Sequence, residues 1–241
     1  MKIAILKPDS VLEQFQPEHG DYEEMLSRTL YQAEPLVSAA QPLQLDVYDV
    51  MAGEYPVNRD EYAGFIITGS KQSVYEPDAW IGRLRDYVVT LHQERRRLVG
   101  ICFGHQMVAL ALGGETRAAP VGWNVGMHES TVREHRPFMN PPMTRLNLLH
   151  SHKDQVLEMP AEATCLASAG RCPTSMMMIG EHIFTVQGHP EFVPAYSKAL
   201  MEFRREMIGE ENYMTGMASL AHQSDSPVVA QWILRFIANE A

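Results

Sequence analysis

A cysteine between two glycines is the residue of this chain best suited to covalent chemistry. The segment Gly100–Gly104 reads Gly-Ile-Cys-Phe-Gly and lies where an apolar run gives way to a helix-forming stretch. In such a strand-to-helix turn, glycines avoid collisions between a β-carbon and the neighbouring strand or helix. The dipole of the following helix would favour the thiolate of Cys102, and the backbone N–H of Phe103 would face an acyl oxygen under attack. The pattern therefore predicts a nucleophilic thiol.

A base and a residue to orient it occur together in the segment Gln187–Glu191, which reads Gln-Gly-His-Pro-Glu. In extended backbone, His189 and Glu191 project to the same side because they are two positions apart. The segment follows an apolar run at residues 183–186, at the end of a predicted strand, where α/β enzymes keep catalytic groups. We therefore expect a Cys-His-Glu triad, in which His189 takes the proton of Cys102 and Glu191 holds the imidazole tautomer.

The residues alone leave other interpretations of Cys102 open. A cysteine without a catalytic role is usually a small buried hydrophobic residue, although the glycine frame favours a nucleophile. A non-catalytic binding or sensor protein could use an exposed, reactive cysteine for oxidation, but it would have no need of His189 and Glu191. A hydrolase of esters or lactones with a Cys-His-acid set is a further alternative.

Strand and helix signals alternate along the chain, as a parallel sheet requires. The predicted strands cover residues 2–6, 43–50, 64–68, 98–101 and 183–186, and the predicted helices cover residues 22–32, 78–97, 104–112, 194–209 and 226–239. Short strand signals between residues 115 and 179 predict antiparallel additions to the edge of the sheet. Residues 212–225 show no clear periodicity. We predict a single-domain, flavodoxin-like α/β fold: an open, mostly parallel sheet with helices on both faces and a nucleophile elbow.

Composition narrows the class of protein further. The chain has 241 residues, 45% of them hydrophobic, which suffices for one domain over residues 1–241, with a core over about 40–195 and closing helices over 195–241. A net charge of −10 disfavours nucleic-acid binding, and no apolar run is long enough for a membrane span. Three cysteines and a quickly polar start, without a signal-peptide pattern, predict a cytoplasmic protein.

No metal or cofactor site is expected. His150 and His152 are two positions apart and could belong to a zinc cluster, but the chain has no His-Glu-x-x-His motif. Cys165 and Cys172 are seven positions apart, which does not make a close pair of ligands.

Four segments together resemble the class I glutamine amidotransferases. Gly100–Gln106 is similar to that family's G-x-C-x-G-x-Q nucleophile motif, and Gly188–Glu191 is similar to its G-H-P-E motif. Gly64–Ser70 lies where the family has a strand that runs into a glycine turn, and His150–Val156 resembles its S-H-x-D-x-V segment. The resemblance covers roughly residues 40 to 195.

The resemblance implies eight site residues in three roles: the triad Cys102, His189 and Glu191; the oxyanion-hole donors Gly69 and Phe103; and the substrate contacts Gln106, His152 and Asp154. It places His152 and Asp154 in a loop beside the pocket, where Asp154 would bind the amino group of the substrate. A helix-packing role for Gln106 and a loop-capping role for Asp154 are the structural alternatives.

The resemblance also implies a reaction, which is cleavage of the γ-carboxamide of glutamine through a γ-glutamyl thioester. Ammonia transfer would need a separate synthetase subunit, because the chain has no S-G-G-x-D-S ATP motif. The turn Thr68–Lys71 reads Thr-Gly-Ser-Lys where ammonia-feeding members usually have Gly-Gly-Pro. This turn is closer to the free-standing GMP-synthase-like branch, which includes γ-glutamyl peptidases. A stand-alone γ-glutamyl peptidase, acting on γ-glutamyl peptides or conjugates, is therefore the alternative.

Overall fold

A computed structural model describes residues 1–37 and 41–239. The predicted domain limits at residues 40 and 241 lie outside the described residues. The described strands are β1 (Lys2–Lys7), β2 (Gln44–Asp49), β3 (Gly64–Ile67), β4 (Leu98–Ile101), β5 (Glu115–Ala118), β6 (Asn124–Val132), β7 (Arg145–His152), β8 (Asp154–Glu158), β9 (Ala163–Ala169), β10 (Cys172–Ile179) and β11 (Ile183–Val186). The described helices are α1 (Gln16–His19), α2 (Tyr22–Ala33), α3 (Ala79–Gln93), α4 (Phe103–Ala111), α5 (Pro194–Phe203), α6 (Arg205–Ile208), α7 (Glu210–Ser219) and α8 (Ser226–Ala238).

The main sheet of the described residues has nine strands in the order β2-β1-β3-β4-β11-β10-β9-β6-β7. The five strands from β2 to β11 are parallel, which is the flavodoxin-like order, and the remaining four continue the sheet with antiparallel pairing. The predicted α/β fold with a mostly parallel sheet is therefore confirmed. β5 and β8 form a separate two-stranded sheet.

Two buried clusters cover the two faces of the parallel strands, because successive side chains of a strand point to opposite faces. Ile3, Ile66 and Val99 face α2 and α8 in one cluster. The neighbouring residues Phe65 and Leu98 face α3 and α4 in the other. This alternation explains why the strands read as continuous apolar runs, as expected for parallel strands covered by helices on both faces.

The region without clear periodicity contains a helix that the sequence did not predict, α7. It packs closely on β6 at Gly126, where an added β-carbon would lie 2.5 Å from the carbonyl oxygen of Gly216. Ser219 Oγ also accepts a hydrogen bond of 2.8 Å from the N–H of Met127. The helix thus depends on close contact with a distant strand, and its own sequence has no strong apolar stripe. Among the helices of the described residues, none is long and apolar enough to cross a membrane.

Candidate active site

Cys102 occupies a strained turn between β4 and α4. Its φ is +51°, a left-handed value that is rare outside glycine. An added β-carbon at Gly100 would lie 2.6 Å from backbone atoms of Gly104, and one at Gly104 would lie 2.5 Å from the carbonyl oxygen of Ile67. Both glycines are therefore required by close backbone contacts, as expected for a nucleophile elbow.

Replacing Gly104 by alanine is expected to lower the free energy of unfolding by about 2–4 kcal/mol, because backbone atoms cannot move away from the new methyl group. Gly82 is a matched control in α3, since an added β-carbon there meets nothing within 4 Å. Gly82→Ala should leave stability unchanged or raise it by up to about 1 kcal/mol. Urea unfolding measures both variants, and equal unfolding free energies would contradict the proposed close approach of α4 to β3.

The sheet brings together the two segments that the sequence predicts to be catalytic. β4 and β11 are parallel neighbours, so their carboxyl ends meet at the same edge. The N–H of Cys102 donates to the carbonyl of Val186 at 2.9 Å, and the N–H of His189 donates to the carbonyl of Leu149 at 2.8 Å. At Gly188, an added β-carbon would lie 2.7 Å from Leu148 Cβ, which explains the glycine before the histidine.

His189 and Glu191 form a buried hydrogen-bonded pair. The imidazole Nδ1–H donates to Glu191 Oε1 at 2.7 Å, and the two residues are 3% and 2% exposed. One face of the imidazole stacks on Phe192 at 3.8 Å between ring centroids. Gly69 lies beside the ring, since an added β-carbon would come within 3.0 Å of His189 Cε1. With Nδ1 held by Glu191, Nε2 is the nitrogen left for the thiol.

The protonation of His189 reflects its two acidic neighbours. Burial alone lowers the pKa of His189, but the charges of Cys102 and Glu191 and the hydrogen bond to Glu191 outweigh it and raise the pKa to about 10. Burial raises the pKa of Cys172 to about 12 and also raises the pKa of Cys165.

Replacing Cys102 by serine is expected to lower the pKa of His189, because a neutral hydroxyl lacks the negative charge that helps to raise it. NMR titration of the histidine ring signals measures this change. In the wild-type protein His189 should stay protonated at pH 7 and lose its proton only as the pH rises towards about 10. Cys165→Ser is the control, and a His189 pKa that is equal in all three proteins would contradict the contact with Cys102.

A cleft of about 360 Å³ opens above Cys102. Cys102 is 5% exposed, and the residues that line the cleft with it are Leu12, Ser70, Lys71, Gln72, Gln106, Trp123, Ser151, His152, Lys153, Asp154, Phe203, Arg204 and Met207. The three predicted substrate contacts are all part of this lining. Cys102 thus borders the cleft, whereas His189 and Glu191 are not among its lining residues.

The three predicted substrate contacts are also bonded to one another. Gln106 Nε2 donates to the carbonyl of Asp154 at 2.7 Å and to Gln187 Oε1 at 3.1 Å. His152 Nδ1 donates to the same carbonyl at 2.9 Å. The carboxylate of Asp154 accepts hydrogen bonds from the hydroxyls of Ser73 and Tyr75.

The carbonyl of Asp154 fixes the tautomer of His152, because it can only accept a hydrogen bond from Nδ1. Burial lowers the pKa of His152 to about 3, so the ring is neutral and its Nε2 accepts a 3.0 Å hydrogen bond from His150 Nδ1. Burial and the neighbouring histidines also lower the pKa of His150. Both ring nitrogens of His152 are therefore bonded within the protein. His152 and Asp154 lie at the adjoining ends of β7 and β8, not in the loop expected from the sequence, because β6 and β5 pair with these strands.

Several cleft residues were not identified from the sequence. Phe203 ends α5, Arg204 lies at the junction of α5 and α6, and Met207 belongs to α6. Leu12 comes from the loop after β1. Ser73 and Tyr75 are not part of the lining but donate to the carboxylate of Asp154, and they lie between β3 and α3. No motif marks these residues, because the packing of distant elements brings them to the cleft or to Asp154. Within residues 1–37 and 41–239, no group of three or more His, Cys, Asp or Glu side chains is placed to hold a metal ion.

The chain is similar to known proteins of one family. The family model described as "Glutamine amidotransferase class-I" matches residues 22–206. The chain is 32% identical over 219 residues to a putative glutamine amidotransferase of Saccharomyces cerevisiae. The aligned residues make up 87% of this chain and 86% of the yeast protein.

Two further similarities concern a plant peptidase and a solved structure. The chain is 33% identical over 157 residues to γ-glutamyl peptidase 3 of Arabidopsis thaliana, which covers 62% of this chain. That match spans 63% of the plant protein, less than two thirds of its length. The fold is similar to that of a glutamine amidotransferase from Thermotoga maritima, with a TM-score of 0.76, 16% identity and coverage of 99% of each chain.

Proposed function

The chain belongs to the class I glutamine amidotransferase family, and we propose that it is a cysteine-dependent amidohydrolase that cleaves the γ-amide bond of a γ-glutamyl group. The proposal rests on one arrangement: Cys102 follows β4, and the buried, hydrogen-bonded pair His189 and Glu191 follows the neighbouring parallel strand β11. Glutamine, from which ammonia leaves, is the simplest substrate with this bond.

The proposed reaction starts with the thiolate of Cys102, whose proton has moved to His189. The sulfur attacks the γ-carbonyl carbon, and the backbone N–H groups of Gly69 and Phe103 stabilise the oxyanion. Phe103 is the first residue of α4, so its N–H has no helix carbonyl to bond and can donate to the oxyanion. The imidazolium then protonates the departing nitrogen, and a γ-glutamyl thioester remains on Cys102.

Water completes the proposed cycle. The imidazole of His189 takes a proton from water, whose oxygen attacks the thioester and releases glutamate and the thiolate. Glu191 keeps Nδ1 protonated and Nε2 directed to the reacting atoms throughout. Gln106, His152 and Asp154 are the proposed contacts of the glutamyl group, with Asp154 as the partner of the α-amino group. His152 would make its contact through ring carbons, because both ring nitrogens are bonded within the protein. The hydroxyls of Ser73 and Tyr75 would then give up or share that carboxylate.

A stand-alone γ-glutamyl peptidase is the second candidate function. The cleft favours it, because the lining extends beyond the thiol to an aromatic and basic wall that an ammonia leaving group would not fill. The similarity to a plant γ-glutamyl peptidase supports it as well. In the first candidate, the partner is a separate synthetase subunit that consumes ammonia. In the second, the substrate is the only partner needed.

We also propose that residues 1–241 form a single amidotransferase domain, because one sheet connects strands from β1 to β11 and the family model spans most of the chain. The experiment that tests the proposed function compares hydrolysis of glutamine with that of glutathione-like γ-glutamyl peptides. Release of glutamate from either substrate supports the proposal, and faster release from the peptides selects the second candidate. Release from neither would refute the proposal.

A further inference from the structure

One wall of the cleft has an unpaired positive charge that the cleavage of a γ-amide bond does not use. Arg204 lies between α5 and α6 and is half-buried. Its Nη1 donates to Ser151 Oγ at 3.1 Å, and its guanidinium lies 5.7 Å from the ring centroid of Trp123. In the described part of the chain, no carboxylate oxygen lies within 4.0 Å of this guanidinium. The wall therefore offers a cation beside an aromatic surface.

Strand β7 separates this wall from the proposed contacts of the glutamyl group. Ser151 and His152 are consecutive residues of β7, so their side chains point to opposite faces. On one face, His152 donates a hydrogen bond to the carbonyl of Asp154, to which Gln106 also donates. On the other face, Ser151 accepts a hydrogen bond from Arg204.

The face of β7 that holds Ser151 is also the face beside the imidazole. Leu149 shares this face and packs in a buried cluster with Phe192. The ring of Phe192 stacks on His189. Because His189 protonates the departing nitrogen in the proposed reaction, the leaving group departs on this side of the cleft.

We propose that Arg204 and Trp123 form a subsite for the leaving group, and that Arg204 binds the carboxylate of an amino acid or peptide released from the γ-glutamyl group. This inference rests on the proposed function and names its substrate class. In a γ-glutamyl α-amino acid, the carboxylate is separated from the scissile nitrogen by a single carbon, which fixes its position near the imidazole. A guanidinium presents paired N–H donors that match a carboxylate, and the tryptophan ring offers an apolar surface to the rest of the leaving group.

The reaction balances as a hydrolysis with water as the only co-substrate. A carbon–sulfur bond forms as the carbon–nitrogen bond breaks, and the released amino acid takes its proton from His189. Water then replaces sulfur on the glutamyl carbon, and one of its protons returns to the imidazole. The products are glutamate and an amino acid or peptide.

The test compares two substrates that have the same γ-amide bond and differ in the carboxylate. These are γ-glutamyl-glycine and γ-glutamyl-methylamide, assayed by glutamate release. Arg204→Gln should lower kcat/KM for γ-glutamyl-glycine by about tenfold or more, as expected for loss of a charged hydrogen bond, with the value for the methylamide kept within about twofold. Arg205→Gln is the matched control, because Arg205 pairs with Glu210 at 2.8 Å. It should change neither value.

The possible outcomes separate this inference from the proposed function. An equal loss of kcat/KM on both substrates would show that Arg204 contacts the glutamyl group or has a structural role. An unchanged kcat/KM for γ-glutamyl-glycine would show that Arg204 does not bind the carboxylate. Either result overturns the subsite. Failure of the wild-type protein to cleave any γ-glutamyl amide would refute the proposed function and the subsite with it. Arg204→Lys keeps the charge and should retain part of the preference for γ-glutamyl-glycine over the methylamide. It takes the place of Arg204→Gln in the test if the glutamine variant does not fold.

Discussion

Replacement of Cys102 by alanine is expected to lower kcat for γ-glutamyl amide hydrolysis by at least about 10⁴-fold, because no other group in the site can form the thioester. The fold should persist, since α4 begins without a capping bond from the cysteine side chain. The measurement is glutamate release from glutamine and from γ-glutamyl-glycine by the purified variant. Loss of the sulfur should remove activity towards both substrates, because both react through the same bond.

Cys165 provides the matched control for this substitution. It is a half-buried cysteine of β9, and its side chain contacts the carbonyls of Ala167 and Pro173, outside the cleft. Cys165→Ala should retain wild-type activity. Substantial hydrolysis by the Cys102→Ala protein would end the account, because it would require a different nucleophile.

The second large effect is expected at the base. His189→Ala should lower kcat by about 10³-fold, since the imidazole both accepts the thiol proton and protonates the leaving nitrogen. Glu191→Gln should lower kcat by less than His189→Ala does, because orientation of the imidazole contributes less than proton transfer. Glutamine keeps an oxygen that accepts from Nδ1, so orientation is retained, whereas the negative charge that raises the pKa of His189 is lost. Steady-state kinetics of both variants at several pH values measures these effects.

An exposed glutamate on α5 serves as the control for Glu191. Glu202 is half exposed and lies 3.9 Å from Lys198, so Glu202→Gln should leave kcat unchanged. If His189→Ala and Glu191→Gln were both neutral, the base would lie elsewhere. A larger loss from Glu191→Gln than from His189→Ala would show that the charge of Glu191 matters more than proton transfer by the imidazole.

Local sequence sufficed for the elbow because its constraints are local. Gly100 and Gly104 are required by contacts within about one turn of chain and with the adjacent strand, and such steric needs leave a recognisable pattern. The placement of Cys102 and His189 at one edge of the sheet was also predictable, since the parallel strands β4 and β11 place their carboxyl ends there. The parallel core of the sheet follows from apolar runs bounded by turns and helices.

Other features depend on contacts that no local pattern encodes. Helix α7 packs on β6 through Gly126 and Gly216, although its own sequence has little periodicity. Arg204 reaches the cleft because the end of α5 packs beside β7, where Ser151 accepts its hydrogen bond. The family resemblance placed His152 in a loop, but His152 ends β7 and pairs with Asn124 of β6, a long-range contact that no local pattern shows.

Trapping of the acyl-enzyme tests the central claim most directly. The wild-type protein is mixed with a γ-glutamyl amide, quenched in acid during turnover, digested, and analysed by mass spectrometry. The account predicts one added glutamyl group on the peptide that contains Cys102, sensitive to hydroxylamine as a thioester and absent from the Cys102→Ala protein. Turnover with no adduct on that peptide, or with an adduct on another residue, would contradict it.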